Sequence, residues 1–166
     1  MGTSLPERAT GHPAEVDEVV TAVLTASRVL VGVSARSLEA VEETVTLTQF
    51  RTLVVLHAQG EINLARLAHL LEVTSSTALR MIDRLLTSQL VTRRENAADR
   101  REVLLGLTDA GERLVQRVTT RRRRAIAAIV RDMDVQGRDD LVVALRAFAD
   151  AAREPHIDQD AAALGW

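Results

Sequence analysis

The chain predicts a mainly α-helical fold built around a winged helix-turn-helix. Three observations carry that expectation. Residues 63–87 hold two short amphipathic helical patterns separated by only a tight turn. Two β-competent segments, 91–96 and 102–108, follow with a polar, basic connector between them. Apolar residues at helical spacing flank this module on both sides.

The elements follow in order. Residues 1–13 read as a flexible polar tail, and the opening MGTSLPERATGHPAE lacks the apolar core of a secretory signal. Val16, Val19, Val20, Val23, Leu30, Val31, Leu38 and Val41 recur along a long helix over 14–42. Pro13 stands at its start, where a missing N–H costs nothing. Thr46 and Gln49 form a capping box for a second helix, which carries Phe50, Leu53, Val54 and Leu56 and stops at Gly60. Asn63 caps a third helix, with Leu64, Leu67, Ala68 and Leu71 facing inward. Glu72, Val73 and Thr74 suffice only for a turn, and Thr74 or Ser75 caps the fourth helix. Its inward face is Ala78, Ile82, Leu85 and Leu86; its outward face is Ser75, Ser76, Thr77, Arg80, Met81 and Arg84.

Ala97 to Arg101 joins the two strands as a hairpin tip. Thr108 caps a fifth helix with Asp109 and Glu112 in its first turn, running to about Met133. Gly137 marks a break. A last helix over 138–153 carries Leu141, Val142, Leu145, Phe148 and Ala149 as its apolar stripe and ends before Pro155. Residues 155–166 form a tail. No internal repeat or low-complexity segment stands out.

Composition narrows the function classes. A 166-residue chain that is 46% apolar can bury a core. No unbroken apolar run approaches the ~18 residues that span a membrane, so no membrane partner is expected. The absence of cysteine excludes disulfides, Cys-ligated zinc and thiol sensing, and fits the cytoplasm. The net charge of −2 conceals segregation. Residues 106–131 carry 7 Arg against 2 acids, while residues 132–160 carry 3 Arg against 8. Residues 63–105 hold 7 Arg against 5 acids, so the local field favours an anionic partner despite the overall sign. The three aromatics, Phe50, Phe148 and Trp166, provide no stacking platform for single strands. Duplex DNA is the nucleic acid that fits.

Short hydroxyls in the first turn, followed by Arg one turn on, suit a recognition helix whose N-terminal residues meet base edges. The candidates there are Ser75, Ser76, Thr77, Arg80 and Arg84. The bland alternative for Arg84 is a pair with Asp83 or Asp99.

The run Arg121 to Arg124 points around the whole helix circumference and is not one patch. Arg113, Arg117, Arg121 and Arg124 share a face, whereas Arg122 falls among Val115, Val118, Ala125, Ile129 and Met133. An ion-pair network is the plain reading and attraction of an anionic ligand the sharper one. His12, His57, His69 and His156 form no i,i+4 ligand pair, so no metal is assigned. His57 reads as packed or capping and His69 as a surface residue. No nucleophile elbow, phosphate loop or paired His/carboxylate set exists, so no catalysis and no cofactor are expected.

Over roughly residues 15–153 the chain resembles the MarR family of bacterial transcription regulators. The resemblance is densest at Thr46-Leu47-Thr48-Gln49-Phe50, Leu64-Ala65-Arg66-Leu67-Ala68 and Asp83-Arg84-Leu85. It is most specific at Asp99-Arg100-Arg101 followed by Leu107-Thr108-Asp109-Ala110-Gly111. One departure stands at Ser88-Gln89-Leu90, where the family often has glycine; a left-handed non-glycine costs about 1 kcal/mol.

The resemblance implies a homodimer whose N- and C-terminal helices interlock, reading a pseudo-palindromic operator as a repressor. It divides the chain into a dimerisation helix over 14–45, a DNA-binding lobe over 46–108 and dimerisation helices over 109–154. It implies a small lipophilic or aromatic effector held among the first, second and fifth helices. Arg101 then enters the minor groove beside Arg100, and Asp99 holds an arginine of the wing. Arg93 and Arg94 either meet phosphates or bond within the hairpin, and Arg51 is a backbone-contact candidate. The competing expectation is a winged-helix protein-interaction module without specific DNA binding.

Overall fold

The computed structural model describes residues 13–41, 44–97 and 102–152. Its elements are α1 (Pro13–Glu39), α2 (Leu47–Gln59), β1 (Ile62–Asn63), α3 (Leu64–Leu70), α4 (Ser75–Thr87), β2 (Val91–Glu95), β3 (Val103–Leu107), α5 (Asp109–Arg131) and α6 (Val135–Ala151). The chain divides into two units, one ending at Gly32 and one beginning at Val33.

Local chemistry sets most boundaries. Thr46 and Gln49 close the expected capping box: Gln49 N–H donates to Thr46 Oγ1, and Thr46 N–H donates to Gln49 Oε1 at 2.8 Å. Gly60 ends α2 at φ +71°, a conformation that glycine adopts without a Cβ clash. Asn63 caps α3, Thr74 caps α4 and Thr108 caps α5, each accepting from the backbone N–H three residues on. Glu72 and Gln89 both take φ +56°, so the turn after α4 does place a non-glycine in the left-handed region.

Two boundaries differ from expectation. The break after α5 falls before Asp134, and Gly137 lies inside α6. Asp134 caps that helix by accepting from Gly137 N–H at 2.6 Å, so Gly137 marks a helix start. The sheet also has a third strand. Its order is β1-β3-β2, all antiparallel, with Asn63 opposite Leu104 and Arg94 opposite Leu104 from the other side. A two-residue strand has no periodicity to read, and only its pairing with β3 defines it.

In the unit beginning at Val33, one core joins the end of α1 to the winged lobe. Leu38, Phe50, Leu53, Leu56, Leu67, Ile82, Leu85, Val91, Leu105, Leu114, Val115 and Val118 are all buried in it. Met81 belongs to this core, not to the outward face expected for it; it is 9% exposed and takes a contact from Thr52 Oγ1 at 3.8 Å. Burial along α5 stops at Thr119, and no residue of α6 is buried. Leu141, Val142, Leu145 and Phe148, the predicted stripe, all lie open.

The unit ending at Gly32 is the first part of α1. Val16, Val19, Val20, Leu24, Val29, Leu30 and Val31 are exposed along it. The helix Ala14–Glu39 is long and apolar enough, by length and composition, to cross a membrane, contrary to the expectation from unbroken runs. Thr, Ser and Gly interrupt its apolar sequence without adding charge, and only Arg28 and Arg36 are charged between Glu18 and Glu39.

Candidate nucleic-acid interface

Helix α4 is held by one side and presents the other. Ala78, Met81, Ile82 and Leu85 anchor it in the core. Ser75, Ser76, Arg80 and Arg84 are exposed on the opposite side, and Thr77 is half-buried. The first turn is tied by hydroxyls. Thr74 Oγ1 donates to Thr77 Oγ1 at 3.0 Å, lies 3.0 Å from Ser76 Oγ and accepts from Thr77 N–H at 3.2 Å. Arg80 Nε donates back to the Ser76 carbonyl at 3.4 Å, which lays its stem along the helix. The result is a rigid row of small hydroxyls with two guanidinium groups one and two turns on. Its size and polarity match the base edges and phosphates of a major groove. Arg51, on α2, is also exposed.

The strands of the wing pack beside this module. Thr108 Oγ1 donates to the Gln89 carbonyl at 2.8 Å, and Thr108 N–H donates to the Leu90 carbonyl at 3.1 Å. A Cβ on Gly111 would stand 2.2 Å from that same Leu90 oxygen. The Leu-Thr-x-x-Gly motif therefore joins the end of α4 to the start of α5 through backbone contact that admits no side chain.

Arg93 and Arg94 are both exposed on β2. The Arg94 guanidinium grips the Glu61 carboxylate through Nε and Nη2. That contact holds the Glu61 carboxyl below, and raises Arg94 above, their ordinary ranges. Glu61 lies outside the hairpin, 33 residues away in sequence, and had no place in the sequence reading. Asp99, Arg100 and Arg101 lie outside the described residues.

The MarR family profile matches residues 45–103, which span α2 to the first residue of β3. The crystal structure of RV1404 from Mycobacterium tuberculosis is 46% identical, with a TM-score of 0.79, and the match covers 88% of this chain and 98% of that one. The chain belongs to the MarR family. Its winged helix-turn-helix, from α2 to the start of β3, is the part that the family profile matches. The HTH-type transcriptional regulator YsmB of Bacillus subtilis is 35% identical over 79 residues, 48% of this chain and 54% of YsmB. The chain spans about half the length of the curated relatives it matches. A mutant MarR from E. coli, complexed with operator DNA, shares the fold at 20% identity, with a TM-score of 0.61 and coverage of 81% of this chain and 95% of that one.

Two features of this MarR-family chain sit away from α4. A groove of about 630 Å³ is lined by Val41, Gln116, Arg117, Thr120, Arg121, Arg124 and Ala125. It brings three of the four same-face arginines together, while Arg122 is half-buried and its pKa is lowered by desolvation. His57 Nδ1 lies 2.8 Å from Glu112 Oε2, tying the last turn of α2 to the first of α5; His69 is exposed. Among the described residues, no group of three or more His, Cys, Asp or Glu could hold a metal ion.

Proposed function

We propose that the protein is a homodimeric repressor that reads a pseudo-palindromic operator in double-stranded DNA. The observation that carries this reading is the exposed row Ser75, Ser76, Arg80 and Arg84 on a helix fixed from behind by Ala78, Ile82 and Leu85. Arg80 and Arg84 read base edges or adjacent phosphates, the hydroxyls of Ser75 and Ser76 add short contacts, and Thr77 secures the turn. Arg51 and Arg93 contact the backbone. Arg94, paired with Glu61, contributes to the wing chiefly by holding its stem. Arg100 and Arg101 keep the minor-groove assignment that the family resemblance implies, with Asp99 holding an arginine of the wing.

The exposed apolar residues of α1 and α6 support the dimer. Val16, Val19, Val20 and Leu24 on one helix, and Leu141, Val142, Leu145 and Phe148 on the other, are apolar stripes of a kind that a second copy would bury. The organisation is then a dimerisation part over 14–45 and 109–154 around the lobe 46–108, acting in the cytoplasm. The groove beside Arg117, Arg121 and Arg124 suits a small effector with an apolar body and an acidic group. Effector and DNA favour different spacings of the two lobes, so each weakens the other's binding by the same factor.

Fluorescence anisotropy with the upstream intergenic duplex, against a scrambled duplex and over a salt series, tests the reading. The expected result is sequence-dependent binding with a steep salt slope. Arg80→Ala is expected to remove about 1–3 kcal/mol of discrimination. No binding to either duplex at low salt would sink this reading in favour of a protein-interaction module.

A further inference from the structure

One carboxylate joins three elements at the end of the wing strands that leads into the 97–101 connector. Glu102 stands directly before β3, and its Oε1 accepts from Asn63 Nδ2 while its Oε2 accepts from Asn96 Nδ2. Asn96 N–H also donates to the Glu102 carbonyl at 2.9 Å. Asn63 serves two masters, because its Oδ1 accepts from Arg66 N–H at 2.8 Å and so caps α3. The first helix of the helix-turn-helix and both strands of the wing therefore meet on one side chain.

The sheet register explains how. β3 lies between β1 and β2; Glu102 stands opposite Asn96, one pair beyond Glu95 and Val103, and Asn63, opposite Leu104, reaches it diagonally on the same face. Two residues before Asn63 and Asn96 stand Glu61, just ahead of β1, and Arg94, on β2, facing the same side. Their ion pair spans the central strand at Gly106, where a Cβ would come within 2.9 Å of Glu61 Cγ. The sequence thus places a polar, charge-assisted clasp over the middle strand, and glycine leaves room for it.

We propose that Glu102, with Asn63 and Asn96, is a positioning clasp that sets the wing stem against the helix-turn-helix and so determines sequence selectivity without touching DNA. The inference rests on the DNA-binding reading above. The hydrogen bonds from Asn63 and Asn96 hold the Glu102 carboxyl below its ordinary range, so it is ionised and accepting at neutral pH. An anionic group beside a DNA-binding strand repels phosphate. If Glu102 were only a surface charge, its removal would strengthen binding to every duplex. If it positions the wing, its removal loosens two contact surfaces that must meet one duplex in register, and selectivity falls although repulsion is relieved.

The test uses two probes, a duplex selected by the wild-type protein from a random-sequence library and a scrambled duplex of equal length. Glu102→Ala is expected to weaken binding to the selected duplex roughly tenfold, with scrambled binding unchanged or stronger. Asn63→Asp keeps the acceptor that caps α3 but loses the donor and sets carboxylate against carboxylate, so it is expected to lose selectivity with helix content intact. Combining Asn63→Asp with Glu102→Gln reverses the pair: the new amide donates to the new carboxylate and still accepts from Asn96. That double variant is expected to recover selectivity. Equal strengthening on both duplexes in Glu102→Ala, or unchanged selectivity in Asn63→Asp, would overturn the clasp. If the wild-type protein selects no duplex, the regulator reading itself fails and the clasp falls with it.

Discussion

Leu53 and Phe148 each sit in an apolar stripe at helical spacing, yet Leu53 is fully buried and Phe148 is 55% exposed. The winged lobe closes its core within one chain: the end of α1, α2, α3, α4, the sheet and the first half of α5 supply it. α6 has no buried residue, and the first part of α1, taken by itself, leaves its valines and leucines open. The two kinds of helix have similar amphipathic sequences. What differs is where the covering surface comes from, and periodicity carries no information about that.

The comparison can be broken most directly by truncating one side chain in each region. Leu53→Ala is expected to destabilise the lobe by about 2–5 kcal/mol at any protein concentration. Phe148→Ala is expected to act through dimer stability, so its effect on urea unfolding should be largest at high protein concentration and shrink on dilution. Equal, concentration-independent losses would show that the α6 stripe belongs to the same core as Leu53.

A smaller effect sharpens the seam of the lobe. Gly111→Ala forces a methyl group onto the Leu90 carbonyl, and the backbone has to move. A loss of about 1–3 kcal/mol is expected, read as a lower Tm. An unchanged Tm would mean that the junction of α4, β3 and α5 yields freely.

The smallest effect concerns acid. Glu61 and Glu102 have lowered pKa values in the folded chain, through hydrogen bonds from Arg94 and from Asn63 and Asn96 respectively. Depressed carboxylates stabilise the fold fully above their unfolded pKa of about 4.3, and that contribution is lost as pH falls through the lower folded values. Hydrogen exchange below pH ~4 should therefore quicken in β1, β2 and β3 before it quickens in α2. Simultaneous loosening would show that the clasp contributes nothing local.

Much of the lobe was legible because its signals are short in range. A capping residue and the N–H that it accepts lie three residues apart, so Thr46, Asn63, Thr74 and Thr108 announce their helices in sequence. Asp134 with Gly137 is the same signal, and reading glycine as a breaker hid it. The outward placement of Met81 failed because the inward arc of α4 is wider than its most apolar residues suggest; Thr52 of α2 reaches it. The Leu-Thr-x-x-Gly motif was readable as a pattern, but its cause, the Leu90 carbonyl against Gly111, was not.

By itself, the sequence determined the helix order, the caps of α2 to α5, a non-glycine turn within Ser88-Gln89-Leu90, the exposure of Ser75, Ser76, Arg80 and Arg84 on α4, and the family. Tertiary structure alone decided the third strand, the pairing of Arg94 with Glu61, the bridging of Asn63 and Asn96 by Glu102, and which apolar stripes find cover within the chain. The physical reason is distance along the backbone. Caps and turns satisfy hydrogen bonds among neighbours, whereas strand pairing, ion pairs and burial join residues whose separation in sequence says nothing of their separation in space.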